Sequence, residues 1–208
     1  LYGIDHAVFR PLPVSSGLRE RYGLEDGCRY LLYVGAESPR KNLPRLVKAF
    51  AMLREQIPDL RLIKVGTPEY LAQFRKLKEL IDELSLEPFV HFINHPPEED
   101  LVALYNMADV FVFPSLYEGF GMPPLEAMAC GTPVVCSNAA SLPEVVGDAA
   151  ITVDPYDVDA LADAMHRVLT DRDLREDLRA RGLARARQFT WERTARETLA
   201  VYREVCGA

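Results

Sequence analysis

Residues 108–131 read Ala108-Asp-Val-Phe-Val-Phe113-Pro-Ser115-Leu-Tyr-Glu118-Gly-Phe-Gly-Met-Pro-Pro-Leu-Glu126-Ala-Met-Ala-Cys-Gly131. The opening part, Ala108 to Phe113, is a short apolar run of the kind that forms a buried strand. The closing part is a short helix pattern over residues 123–130, with Pro123 and Pro124 tolerable in a first turn and Gly131 as its stop. Between them lies a glycine-containing turn bracketed by Glu118 and Glu126. A strand, such a turn and a helix in that order form an anion site, because unpaired backbone N–H groups and the helix dipole both favour negative charge there. Phosphate alone calls for no carboxylates. Two of them beside an anion site imply that the ligand also carries hydroxyls, as a ribose or a sugar does.

The rest of the chain alternates in the same way. Strands are expected at Arg29–Val34, Leu60–Val65, Phe89–Ile93, 109–113, Pro133–Val135 and Ala150–Val153. A short helix and a loop fill residues 15–29. Helices are expected at 43–57, 69–84 and Glu98–Met107 between strands, and at 157–170, 171–187 and 191–205 after the last one. In the helix at 43–57, Leu43, Leu46, Val47, Phe50, Leu53 and Ile57 recur at helical spacing and mark a core face. The fold class is therefore α/β: a Rossmann-like, doubly wound parallel sheet of six strands, helices on both faces, and extra C-terminal helices.

Composition narrows the function. The 208 residues suffice for one sizeable core, and 49% apolar with 26% charged residues is the balance of a soluble globular domain. No apolar stretch is long enough to cross a bilayer. The first residue is Leu1, with no basic-then-apolar leader after it, so the natural start is expected to lie upstream. A net charge of −7 argues against a nucleic-acid partner, which needs a basic face. It leaves room for a nucleotide ligand, because screening over about 8 Å lets a few local cations prevail. Cys28, Cys130, Cys136 and Cys206 show neither metal-type pairing nor a disulfide framework and read as reduced thiols. No His, Asp or Glu cluster has metal-ligand spacing.

Glu118-Gly119-Phe120-Gly121 with Glu126 eight positions after Glu118 resembles the donor-site signature of retaining GT-B glycosyltransferases of the family-4 type. The likeness extends through Glu126-Ala-Met-Ala-Cys-Gly131-Thr-Pro-Val-Val135 and Leu142-Pro-Glu144, and includes Gly35, Arg40-Lys41-Asn42 and Phe189-Thr-Trp191. Nearly the whole chain is similar to that family's C-terminal half. The resemblance implies a single nucleotide-sugar-binding domain over 1–208, one half of a GT-B fold. Residues 1–14 would be an interdomain lead-in, and 190–208 a helix returning towards an N-terminal acceptor-binding domain.

It also implies roles. Arg40 and Lys41, just past the first strand, would neutralise a diphosphate and stabilise the charge it gains as it leaves. Glu118 would face the transferred sugar, orienting it and stabilising positive charge at the anomeric carbon. Glu126, placed in the first turn of the motif helix, would accept from the ribose hydroxyls, although a carboxylate there also suits the helix dipole. The amides of Phe120, Gly121 and Met122 are the expected anion contacts, with Gly119 and Gly121 allowing close approach. Phe120 either packs under the sugar or fills core. Gly35 closes strand one. Gly66 either lines the base pocket or makes a plain turn. The family often has a glycine after strand three where this chain has Asn94, which tolerates αL geometry, so the turn can survive. His91 and His95 read as structural; Tyr117, Met122 and Leu125 as loop packing. The run from Asp171 to Arg181 reads as a solvated helix face with i,i+4 pairs. Ala36 departs from the family, many of whose members carry Arg or Thr there.

The expected function is retaining, metal-independent transfer of a hexose from a nucleoside-diphosphate sugar to a saccharide or lipid-linked acceptor, in polysaccharide biosynthesis. No cofactor is called for. GDP-mannose is favoured over UDP- or ADP-sugars by resemblance to bacterial polysaccharide mannosyltransferases. The setting would be cytoplasmic, peripheral at the inner membrane face through the absent domain, without which the fragment is expected to bind but not to transfer. The alternatives are a non-catalytic nucleotide-sugar-binding module and a sugar-nucleotide epimerase of similar fold.

Overall fold

The computed structural model describes residues 2–14 and 16–207. Leu1, Ser15 and Ala208, which fall at the edges of the expected lead-in, first helix and last helix, lie outside the described residues.

Six strands are present among the described residues: β1 (Arg29–Val34), β2 (Leu60–Val65), β3 (Val90–Ile93), β4 (Val110–Phe113), β5 (Val134–Ser137) and β6 (Ala150–Val153). They form one sheet in the order β3-β2-β1-β4-β5-β6, every neighbouring pair parallel. The helices are α1 (Ser16–Tyr22), α2 (Leu43–Gln56), α3 (Leu71–Glu83), α4 (Glu98–Met107), α5 (Met122–Cys130), α6 (Leu142–Val146), α7 (Val158–Thr170), α8 (Arg172–Ala186) and α9 (Trp191–Cys206). The strand order reverses at β1/β4, because the chain moves outward from β1 to β3 and then returns across the sheet through α4. By their mutual contacts α2, α3 and α7 group on one face and α4, α5 and α8 on the other. The carboxyl ends of the strands at such a reversal, here β1 and β4, are where sheets of this kind bind ligands.

The burial of each strand follows from its place. β4 and β5 are buried at every position, whereas the edge strand β6 is largely half-exposed. One apolar core runs through both layers, with Leu46, Phe50, Tyr33 and Phe111 fully buried. Tyr33, Phe113 and Phe111 stack in succession, with centroids 6.1 and 5.9 Å apart.

Several boundaries differ from the expected ones for local reasons. Strand three starts at Val90, because Phe89 ends a 3-10 turn. Asp109 precedes β4: its carboxylate accepts from the Tyr30 N–H at 2.8 Å. Strand five is shifted from 133–135 to 134–137, since Pro133 has no N–H to give the ladder. Helix α6, five residues long, is not legible as a helix in the sequence, where only Leu142-Pro-Glu144 stands out as a motif. The αL residue after β3 is His95, with φ 50°, rather than Asn94.

The strand pattern hides one charge. Lys64 is 1% exposed, and its ammonium pairs with the buried Glu37 and donates to the Gly66 carbonyl at 2.6 Å. Burial pushes its pKa down, and Glu37 opposes the shift. Removing one member of a buried pair leaves the other uncompensated. Lys64→Met is expected to lose about 3–5 kcal/mol of unfolding free energy in urea titrations, and Glu37→Leu/Lys64→Met to recover most of that loss.

Candidate functional site

Gly35 and Gly66 carry the ladder one residue beyond β1 and β2: the Gly35 N–H donates to Val65 at 2.9 Å and the Gly66 N–H to Ile93 at 3.0 Å. Gly66 has φ 128°, and a Cβ on it would stand 2.7 Å from the Gly35 carbonyl oxygen. Of its two expected roles, the tight turn is the one these contacts display. A Cβ on Gly35 would lie 3.6 Å from the Lys41 Cε, so the end of β1 borders the cation loop.

That loop is a 3-10 turn, Pro39–Lys41, closed by Asn42 in the αL conformation, φ 60°. The buried Asn42 amide donates to the Pro114 carbonyl at 2.9 Å and the Pro155 carbonyl at 2.7 Å. The Leu116 N–H donates to the Arg40 carbonyl at 2.7 Å. Two loops distant in sequence are thereby joined, and their charged side chains meet. Arg40 Nη1 lies 2.7 Å from Glu118 Oε2 and Lys41 Nζ 2.8 Å from Glu118 Oε1. Lys41 also stands 4.6 Å over the Phe113 ring. Sequence reading treated the two cations and Glu118 as facing different parts of a ligand; here they pair with one another. The Arg40 side chain remains 49% exposed, while Lys41 and Glu118 are buried.

Glu118 is balanced between opposing influences. Burial pushes its pKa up, but Lys41, Ser115 and Arg40 stabilise the carboxylate and hold it below the ordinary value. After Glu118 the chain passes Gly119, where a Cβ would meet nothing within 4 Å, to Gly121, where φ is 115° and a Cβ would stand 2.7 Å from Leu142 Cδ2. Only glycine fits at 121; at 119 the space is open among the described residues. The N–H groups of Phe120 and Gly121 have no partner among the described residues, and Met122 opens α5.

The turn is held from behind by a residue that sequence reasoning missed. Ser141 Oγ lies 2.9 Å from the Glu118 carbonyl oxygen and 2.7 Å from that of Phe120, its one proton shared between them. Its only sequence signal was adjacency to Leu142-Pro-Glu144. Phe120 packs between Tyr2, 5.1 Å away, and Phe189, 5.9 Å away, so its ring is taken up by this chain. Tyr117 is exposed rather than packed, Met122 is half-buried and Leu125 fully buried.

Glu126 is the fifth residue of α5, past the first turn assigned to it, where the dipole's influence has faded. Its partner is not a cation but Tyr105 of α4, which donates its phenol O–H to Glu126 Oε2 at 2.7 Å. Burial pushes Glu126 up; Tyr105 pulls it down, and Glu98 adds to the rise. The two glutamates of the motif thus sit in opposite electrostatic settings.

The histidines stay outside this arrangement. His91 is half-buried beside Tyr30, burial lowering its pKa, and His95 Nε2 lies 2.6 Å from Thr67 Oγ1. Among the described residues no group of three or more His, Cys, Asp or Glu is placed to hold a metal ion, and the cysteines are free. No helix among them is long and apolar enough to cross a membrane. The Asp171–Arg181 run lies on α8 and carries the expected i,i+4 pair, Asp177–Arg181.

A family model for glycosyl transferases group 1 matches residues 16–185. The chain belongs to this family. It is 43% identical over 179 residues to the O-antigen chain mannosyltransferase B of Escherichia coli, covering 84% of this chain and 45% of that protein. Sucrose-phosphate synthase from Thermosynechococcus elongatus superposes with a TM-score of 0.85 at 33% identity, over 99% of this chain and 52% of its own. HepE of Anabaena, in complex with UDP-glucose, gives 0.85 at 25% identity over 96% and 56%. The chain spans about half the length, or less, of the curated relatives it matches. Its sheet and helices are those of one Rossmann-like half of the GT-B fold.

The depressed Glu118 makes a linkage prediction. A carboxyl group with its pKa lowered in the folded state contributes stability that is present above its unfolded pKa, about 4.3, and lost as pH falls through the folded one. In acid titrations of unfolding free energy, the wild type is expected to lose stability below about pH 4.3 more steeply than Glu118→Gln.

Proposed function

We propose that this glycosyl transferase group 1 domain binds a nucleoside-diphosphate sugar, and that it supports transfer with retained anomeric configuration once an N-terminal acceptor-binding domain is joined to it. The observation that carries the reading is the Arg40–Lys41–Glu118 cluster beside a turn with unpaired N–H groups. In this reading the diphosphate lies between the two cations and the start of α5, and it competes with Glu118 for them. Glu118, displaced, turns its carboxylate to the sugar. As the bond to the anomeric carbon breaks, negative charge grows on the leaving diphosphate, and Arg40 and Lys41 stabilise that growth without a metal ion. Gly35 and Gly66 keep the strand ends low beside the ligand. The space over Gly119 admits it, the amides of Phe120, Gly121 and Met122 meet its phosphates, and Glu126 takes the ribose.

The acceptor side is assigned to a second domain. None of the residues of α9 is buried, and Trp191, Tyr202 and Val205 are 50%, 64% and 78% exposed. The lead-in packs against the start of this helix, Tyr2 lying 6.5 Å from Trp191. An amphipathic helix left uncovered calls for a partner surface. The mannosyltransferase relative at 43% identity favours GDP-mannose as donor and a growing saccharide as acceptor, in a cytoplasmic setting at the membrane face. The UDP-glucose complex of HepE keeps UDP-sugars as the alternative. Ala36 offers no third cation beside Gly35, which favours a second reading, a donor-binding module without turnover.

A thermal-shift panel of GDP-, UDP- and ADP-sugars tests the site. A donor at 100 times its dissociation constant is expected to add about 2.7 kcal/mol. Lys41→Ala and Glu126→Ala should each remove most of that gain. Gly119→Ala should leave the unliganded melting temperature unchanged and weaken the ligand shift. No shift with any nucleotide sugar would overturn the proposal. Sugar transfer on addition of the N-terminal domain separates the enzyme from the inert module.

A further inference from the structure

We infer that Tyr105 is a positioning residue that aims Glu126 and so sets discrimination between ribo- and 2′-deoxyribonucleotides; this rests on the reading of Glu126 as the ribose acceptor. Tyr105 is fully buried. Its ring packs against Phe111 at 5.5 Å and Phe9 at 6.2 Å, and its main-chain carbonyl accepts from the Thr132 hydroxyl just beyond the end of α5. The phenol therefore has one place to stand, and from there its O–H donates to Glu126 Oε2 at 2.7 Å.

A carboxylate on a flexible side chain accepts from two neighbouring hydroxyls only when its plane is fixed towards both. The phenol occupies one lone pair of Oε2 and pins that plane. Oε1 has no hydrogen-bond partner among the described residues, so the remaining acceptor positions are left for a vicinal diol. Tyr105 also favours the ionised form of the group. Burial and Glu98 of α4 push Glu126 up, the Cys130 thiol of α5 lies close by, and the phenol's donation is what pulls it down. Without that donation Glu126 would protonate at higher pH and lose half its acceptor capacity.

The test compares UDP with 2′-deoxy-UDP, and GDP with 2′-deoxy-GDP, by calorimetric titration of the 208-residue chain and its Tyr105→Phe variant. The wild type is expected to prefer its ribonucleotide by about tenfold or more, the loss of one hydrogen bond to a charged group. Tyr105→Phe should weaken the ribonucleotide, leave the deoxynucleotide nearly unchanged, and so cut the ratio. Its ribonucleotide affinity should also fade at a higher pH on acidification. Lys41→Ala is the control: it should weaken both nucleotides alike. If Tyr105→Phe melts below the assay temperature, Glu126→Asp, which withdraws the carboxylate from the phenol without touching the core ring, must give the same loss of ratio. A wild type that binds a nucleotide without discriminating, or a Tyr105→Phe variant with an unchanged ratio or equal losses on both ligands, overturns the inference. A wild type that binds neither UDP nor GDP overturns the nucleotide-site reading on which it stands.

Discussion

The buried side-chain amide of Asn42 joins three parts of the chain that sequence places far apart. It donates to the carbonyls of Pro114, at the exit of β4, and Pro155, past β6, while its own backbone closes the cation loop after β1. A neutral amide suits this task, because both donors find carbonyls and burial leaves neither unpaired. With the loop fixed, Leu116 can reach the Arg40 carbonyl, and Arg40 and Lys41 come within ion-pair distance of Glu118. Were the loop free, two cations with long side chains would spend most of their time in water, since exposed pairs contribute little.

Charge is managed differently at the two acids of the motif. Glu118 is buried, and the two cations that face it favour its ionised form; it in turn keeps Lys41 from standing unpaired beside Phe113. Among the described residues no cation pairs with Glu126; the Tyr105 phenol opposes the effect of its burial. The first setting suits exchange of one anion for another. The second suits acceptance of hydroxyls, which need a carboxylate with free lone pairs rather than a neutralised one. A third buried pair, Glu37 and Lys64, lies beneath the same strand ends and ties β2 to the start of the cation loop. The overall charge of −7 bears on none of this, since each carboxylate is answered within a few ångströms.

The glycines of the site divide by cause. Gly66 and Gly121 are required by the chain itself: each has a positive φ, and a side chain on either would strike a neighbouring atom. Gly119 is not so required, and among the described residues nothing lies within 4 Å of a Cβ placed there. Ser141 braces the turn through two carbonyls, and the N–H groups of Phe120 and Gly121 have no partner among the described residues. A turn whose acceptors are satisfied and whose donors are not is prepared for an anion.

The sequence alone determined the alternation of strands and helices, the parallel sheet, and the location of the glycine turn between the two glutamates. These are local: apolar runs of strand length, helical spacing in α2, and glycine or proline at the stops all act over a few residues. It also marked Arg40, Lys41, Glu118 and Glu126 as members of one site, through spacing and family likeness. It did not show that the cations pair with Glu118, that Phe120 is taken by Tyr2 and Phe189, that Lys64 is buried, or that Ser141 and Tyr105 hold the two ends of the motif. Those facts join residues between 21 and 118 positions apart, and most arise only when the fold brings distant segments together. Local pattern fixes which way a side chain points from its own element; only packing of the elements decides what it meets there.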